Sequence, residues 1–247
     1  MLPEDNTERT SKEETAHLII DFFHRTLMHH ALWFSEVEHQ YGKEKALEML
    51  EKAYSLSYDI QMKRLSKILG FDMQEKIPEP LINLPLDTLD ALKEGVAINW
   101  LANDGVWFQA VENTYGMSDA KRCNDSCWGH FSPFEAWSIK RFLKLPENSG
   151  LEGLKEALQY RLYATINKQD ITEETANSFV FRMLDCRVQS ARKRKGLEDY
   201  PCKSGGLVEY RSFAEAIDKR IQTECLSCPP DAHPDDWVCC WKFSIDA

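Results

Sequence analysis

Ser11-Lys12-Glu13-Glu14 has the form of a capping box, and Leu18, Ile19, Phe22, Phe23 and Leu27 recur after it at helical spacing, predicting a first helix that runs to about Tyr41. Gly42 interrupts it. The spacing resumes through Ala46, Leu47, Leu50, Leu65 and Leu69 and stops at Gly70, a residue suited to the left-handed turn past a helix end. Pro78, Pro80 and Pro85 make 71–86 a rigid connector, and Asp87 is placed as the cap of a third helix carrying Leu89, Leu92, Val96, Ile98 and Trp100.

The chain repeats itself at an offset of 74 residues. HHALWFSEVEHQYGKEKA (29–46) lies over NDGVWFQAVENTYGMSDA (103–120), pairing Trp33 with Trp107, Phe34 with Phe108, Glu38 with Glu112 and Gly42 with Gly116. Two related helical hairpins follow from it, over 11–71 and 87–145; two copies are too few for a solenoid. In the second copy Ser132-Pro133-Phe134-Glu135 joins an N-cap, a first-turn proline and a capping-box glutamate, which predicts a helix start there. Two more helices are expected over about 151–167 and 172–195, the second with cations in its last turn and Gly196 after it.

Beyond Gly196 the helical period fades, apart from a short helix within 206–219 carrying Phe213, Ala214 and Ile217. Residues 237–243 alternate instead, with Cys239, Trp241 and Phe243 on one face and Cys240 and Lys242 on the other. Paired with 219–228, they form an expected antiparallel strand pair closed by the loop 229–234. The fold class is therefore mostly α (α+β). The chain is read as a single domain, 1–247: two hairpins, helices over 151–196 and a cysteine-rich α+β segment over 197–247.

A net charge of −10 argues against a phosphate-backbone binder, so nucleic acid is excluded as a partner. No window reaches the ~18 consecutive apolar residues of a membrane span. The charged N-terminal stretch, where a signal peptide would carry an apolar core, places the protein in the cytoplasm. In that reducing compartment the eight cysteines read as thiols, metal ligands or catalysts rather than disulfides.

Six of those eight, Cys186, Cys202, Cys225, Cys228, Cys239 and Cys240, fall in the last quarter of the chain. A turn between the cysteines of Cys225-Leu226-Ser227-Cys228 would point both sulfurs at one ion. Cys202, Cys225, Cys228 and Cys239, with His233 in reserve, make a candidate tetrahedral set for zinc or an iron–sulfur cluster. Alternatively Cys239 or Cys202 is a nucleophile, with His233 as base and Arg187 and Arg220 holding a substrate carboxylate. The remaining reading is reduced cysteines packed as small hydrophobes.

Arg187 and Gln189, flanking Cys186, are candidates for inward polar contacts. Glu38 and Glu112 are a candidate carboxylate pair, outweighed by the solvated helix face that glutamates commonly occupy. His29, His30 and His39 lack the spacing that puts two imidazoles on one helix face, and Trp33, Trp100, Trp107, Trp128 and Trp137 are assigned to the core.

Through CRVQ, PCK, EYRSFAEAIDKRI, CLSCPPD and CCWKF, and the WF-x2-VE segments, the whole chain resembles an uncharacterised family of bacterial and archaeal cytosolic proteins. The terminal strand pair, with Cys239 two residues before the aromatic Trp241, more distantly resembles the L-2-amino-thiazoline-4-carboxylate hydrolase family. That second resemblance implies cysteine-dependent hydrolysis of a cyclic carbon–nitrogen bond in a small amino-acid-like substrate. The alternative is a non-catalytic zinc or iron–sulfur binding or ligand-sensing module.

Overall fold

The structure, a computed structural model, describes residues 10–194, 196 and 199–246. The charged stretch 1–9, and Lys195 at the end of the expected basic last turn, lie outside the described residues. Among the described residues the chain is mostly helical with two small antiparallel sheets, the expected α+β class. The described residues gather into two compact units, one ending at Ile82 and one beginning at Asn83.

The first unit is a helical hairpin, α1 (Lys12–Tyr41) and α2 (Lys43–Leu69), followed by β1 (Met73–Gln74), β2 (Ile77–Pro78) and the short α3 (Glu79–Ile82). The expected capping box forms at Ser11: its hydroxyl accepts from Glu14 N at 3.1 Å and the Glu14 carboxylate accepts from Ser11 N at 2.8 Å. Gly70 takes the left-handed conformation that ends α2. The Tyr58 hydroxyl donates to the Lys76 carbonyl at 2.7 Å, tying the small strand pair to α2.

The second unit opens with α4 (Leu86–Tyr115) and α5 (Met117–Leu143), whose ends are those of α1 and α2 shifted by 74 positions. At the two corners Gly42 and Gly116 adopt φ of 83° and 92°, a region a side chain disfavours, and their N–H groups donate to Glu38 and Glu112 at 2.9 and 2.8 Å. The repeat in the sequence is thus a repeat of backbone. It also corrects the assignment of the tryptophans: Trp33 and Trp107 are both exposed, while Phe34 and Phe108, one step round the helix, are half-buried.

Two sequence expectations fail here for physical reasons. No helix starts at Ser132; Pro133 lies inside α5, where Ser132, Glu135, Ala136 and Ile139 are buried around it. Burial of that face outweighs the roughly 3 kcal/mol that an interior proline costs a helix. Asp87 likewise is not a cap but a first-turn residue of α4, which follows Pro85.

The helices expected over 151–167 and 172–195 are shorter and separated by strands. The order is α6 (Gly150–Leu158), α7 (Leu162–Ile166), β3 (Lys168–Thr172), β4 (Ser178–Asp185) and α8 (Arg187–Arg194). The aromatic run Ser178-Phe179-Val180-Phe181 is ambiguous by periodicity, and the strand that settles it comes some sixty residues later. After α8 come α9 (Lys203–Ile217), β5 (Gln222–Ser227) and β6 (Cys239–Ser244), the last two pairing antiparallel as expected.

The four strands lie in the order β3-β4-β6-β5. Register sets Phe179 against Phe243, Phe181 against Trp241 and Met183 against Cys239, so one sheet face is a sheet of apolar side chains. That face packs with α5, α6 and α9 in a single core containing Ala136, Leu154, Leu158, Phe213, Ile217 and Trp241. The other face carries Arg182, bidentate on Asp170 across β3 at 3.0 and 2.6 Å. Two glycines let α9 approach closely: a Cβ on Gly206 would lie 2.7 Å from Trp241 Cζ2, and one on Gly205 would lie 2.9 Å from Asp125 Oδ1.

Candidate active site

In a regular strand Cys225 and Cys228, three residues apart, would point to opposite faces. A bulge changes this. Cys225 pairs with Trp241, yet Ser227 pairs with Cys240, so Leu226 is an extra residue and the alternation shifts phase. Ser227 and Cys240 are the last opposed pair of the ladder; Cys228 follows Ser227 just past the end of β5, Cys239 precedes Cys240 in β6, and both line the same cavity. The two thiols interact, negative charge being favoured on Cys239 and disfavoured on Cys228.

That interaction separates the two thiols electrostatically. It holds Cys239 below the ordinary thiol range against the opposing effect of burial, while Cys228 is pushed up. The Trp241 indole N–H, fully buried with no acceptor of ordinary geometry, and the Tyr210 hydroxyl add to the hold on Cys239. The neighbours behave differently: burial pushes Cys186 and Cys225 up to about 11, and Cys202 upward as well.

Cys186, Cys202, Cys228 and Cys239 line one cavity of about 380 Å³ in the second unit. Its walls include Trp128 and Tyr163, stacked with ring centres 5.6 Å apart, and its polar lining has two signs, Asp104, Glu112 and Glu209 against Arg187, Arg192 and Lys121. Lys121 sits 3.1 Å from Asp125 and over the Tyr200 ring. Burial raises both Asp104 and Glu209 above the ordinary carboxylate range.

Glu209 is fixed from behind. Buried Arg161 donates through Nη2 to Glu209 at 2.6 Å and through Nε to Glu135 at 2.9 Å, and its guanidinium lies 4.7 Å from the centre of the Phe213 ring. Burial alone would favour the neutral guanidine, but the two carboxylates reverse that and keep Arg161 charged. Glu135 also accepts from Leu162 N at 2.9 Å. The sequence offers no local sign of this triad, whose members lie 26 and 48 residues apart.

Gln189 is the inward polar contact expected of it. Buried on α8, it exchanges hydrogen bonds with Tyr200, both at 2.8 Å, and its amide donates to Cys202 Sγ at 3.1 Å. Cys202 thus has a polar partner of its own within the cavity wall.

The other expected site residues are divided. Arg187 lines the cavity, but Arg220 lies outside its lining, bidentate on Asp218 at 3.0 and 2.7 Å. His233 is also outside the lining; its Nε2 stands 3.4 Å from Asp199 and its Nδ1 2.8 Å from the Pro234 carbonyl. Cys225, opposite Trp241, does not line the cavity either. Among the described residues no three His, Cys, Asp or Glu side chains are grouped to hold a metal ion. Glu112 lines the cavity, and Glu38 lies in the first unit, 3.9 Å from Lys43.

No helix is long and apolar enough to cross a membrane among the described residues. No curated protein and no solved structure matches the chain. A family model does match, in two segments that meet where the two units divide, residues 8–84 and 82–245, and the chain belongs to that family, a family of unknown function, DUF6125.

Proposed function

We propose that the second unit is a thiol-dependent hydrolase acting on a carbon–nitrogen bond of a small amino-acid-like substrate, with Cys239 as nucleophile. The observation that carries this reading is the Cys239 sulfur, held toward thiolate by Cys228 inside a cavity lined by both carboxylates and arginines. A zwitterion fits such a lining, its carboxylate toward Arg187 and its cationic end toward Asp104, Glu209 and the aromatic wall.

In the reaction the Cys239 thiolate adds to the carbon of the carbon–nitrogen double bond. The nitrogen leaves that carbon as it takes up a proton from a cavity carboxyl such as Asp104, which burial raises. Water then attacks the carbon bound to sulfur, giving its proton to a cavity carboxylate such as Asp104, and the carbon–sulfur bond breaks to restore the thiolate. The test is turnover of cyclic amidine carboxylates by the reduced protein. Loss of turnover in Cys239→Ala supports the assignment, and unchanged turnover overturns it.

A non-catalytic thiolate site for zinc or an iron–sulfur cluster is the second reading. It is favoured by four thiols, Cys186, Cys202, Cys228 and Cys239, lining one cavity, and it requires the sulfurs to draw together on binding. Elemental analysis of protein purified without oxygen decides it. About one metal per chain, lost in Cys228→Ser, supports this reading; a metal-free protein that turns substrate over removes it.

A further inference from the structure

The ladder of β5 and β6 closes on the opposed pair Ser227 and Cys240, and the residues that flank it, Cys228 just past the end of β5 and Cys239 in β6, are both open to the same small-molecule space. As the flanking residues of that last pair they are brought toward the Cα separation of roughly 4.4–6.8 Å that a disulfide spans. We propose that Cys239 and Cys228 form a nucleophile and resolver pair that reduces a low-molecular-weight disulfide admitted to this cavity. The inference does not require the hydrolytic reading; it needs only the pair and the cavity.

The chemistry balances within these groups. The Cys239 thiolate attacks one sulfur of the substrate R–S–S–R, the S–S bond breaks, and the first RS⁻ leaves. The Cys228 thiol gives its proton to that leaving thiolate and its sulfur attacks Cys239, displacing the second RS⁻, which takes a proton from water. The substrate disulfide accepts two electrons and becomes two thiols, while the protein dithiol is oxidised to a Cys228–Cys239 disulfide. An external dithiol restores it.

The division of labour follows from position. Cys239 is held within β6 between β4 and β5, so it attacks; Cys228 lies just past the end of β5 and resolves, and the electrostatics agree, holding Cys239 below the ordinary thiol range and pushing Cys228 up. Cys202 is engaged by the Gln189 amide and Cys225 lies outside the cavity lining, so neither competes for the mixed disulfide. The cavity of about 380 Å³ suits a compact disulfide and not a bulky peptide one.

The full chain, reduced and freed of reductant, is mixed with 2-hydroxyethyl disulfide, and released thiol and protein linkage are measured by mass spectrometry. Expected are two thiols released per chain and a peptide map joining Cys228 to Cys239. The Cys228→Ser variant should stop at a mixed disulfide on Cys239 with one thiol released. A bridge to Cys202 or Cys225 in place of Cys228, or a mixed disulfide that persists on Cys239 in the wild type, overturns the proposal, as does no reaction at all. Because the wild type alone gives the linkage, a variant that fails to fold leaves the test intact. Hydrolysis is assayed separately on the reduced protein, so either reading can fail without the other.

Discussion

Gly206 meets Trp241 face to face: a Cβ at Gly206 would stand 2.7 Å from the indole Cζ2 and 3.0 Å from Cη2, with the Cys228 sulfur at 3.7 Å. The absent side chain is what allows α9 to lie on the sheet beside the thiol pair, while Tyr210, one turn on, stacks on the same indole with ring centres 4.6 Å apart. Trp241 is itself fully buried, so it has no room to yield. Gly206→Ala is expected to cost about 1–3 kcal/mol through overpacking, read as a lower denaturation midpoint with an unchanged slope. An undiminished midpoint would show that α9 can slide.

Arg161 balances the charge of both Glu135 and Glu209 in their buried surroundings, and Arg161→Met strands both carboxylates. The expected loss is about 3–5 kcal/mol near neutral pH. Its pH dependence has a definite sign. Burial already raises Glu209, and a carboxyl raised in the folded state adds stability that is complete below its unfolded pKa and is lost as pH rises through the folded one. Urea melts of the variant should therefore show it closest to wild type in acid, at roughly pH 4, and furthest from it at higher pH. Combining Arg161→Met with Glu135→Gln and Glu209→Gln should recover part of the loss, since no buried charge is then left alone.

Asp218 shows the opposite sign. The Arg220 side chain, with further help from the backbone N–H groups of Arg220 and Gly150, holds this buried carboxyl well below the usual carboxylate range. Such a group contributes stability present above its unfolded pKa and lost as pH falls toward its folded one. Asp218→Asn should destabilise at neutral pH and flatten the acid limb of the stability curve below about pH 4. An acid limb identical to wild type would place the titration elsewhere.

The thiols should separate by reactivity. With iodoacetamide and peptide mapping, Cys239 should label with a midpoint below the ordinary thiol value of about 8.5, whereas Cys186 and Cys225, both pushed up to about 11, should label only in more alkaline solution. In Cys228→Ala the Cys239 midpoint should move upward, because its interaction with Cys228 is gone. A midpoint unmoved by that change would assign the hold on Cys239 to Trp241 and Tyr210.

The sequence by itself determined what depends on near neighbours. The capping box at Ser11, the corners at Gly42 and Gly116, the left-handed end at Gly70 and the alternation of Cys239, Trp241 and Phe243 each follow from residues within a turn or a strand of one another, and each is present. The hairpin repeat was equally legible, since one offset carries the bounds of both helices. Local reading failed where distant partners decide. Phe179-Val180-Phe181 is a strand because β6 pairs with it, Pro133 sits within a helix because buried neighbours hold it there, and Arg161 is charged because Glu135 and Glu209 close on it. The site depends most on this. The cysteines pointed to the right part of the chain, but the spacing of Cys225 and Cys228 suggested a pair. The extra residue at Leu226 shifts the alternation of the strand, and of the two only Cys228 lines the cavity with Cys239. A bulge is set by cross-strand register, which exists only once the strands have met.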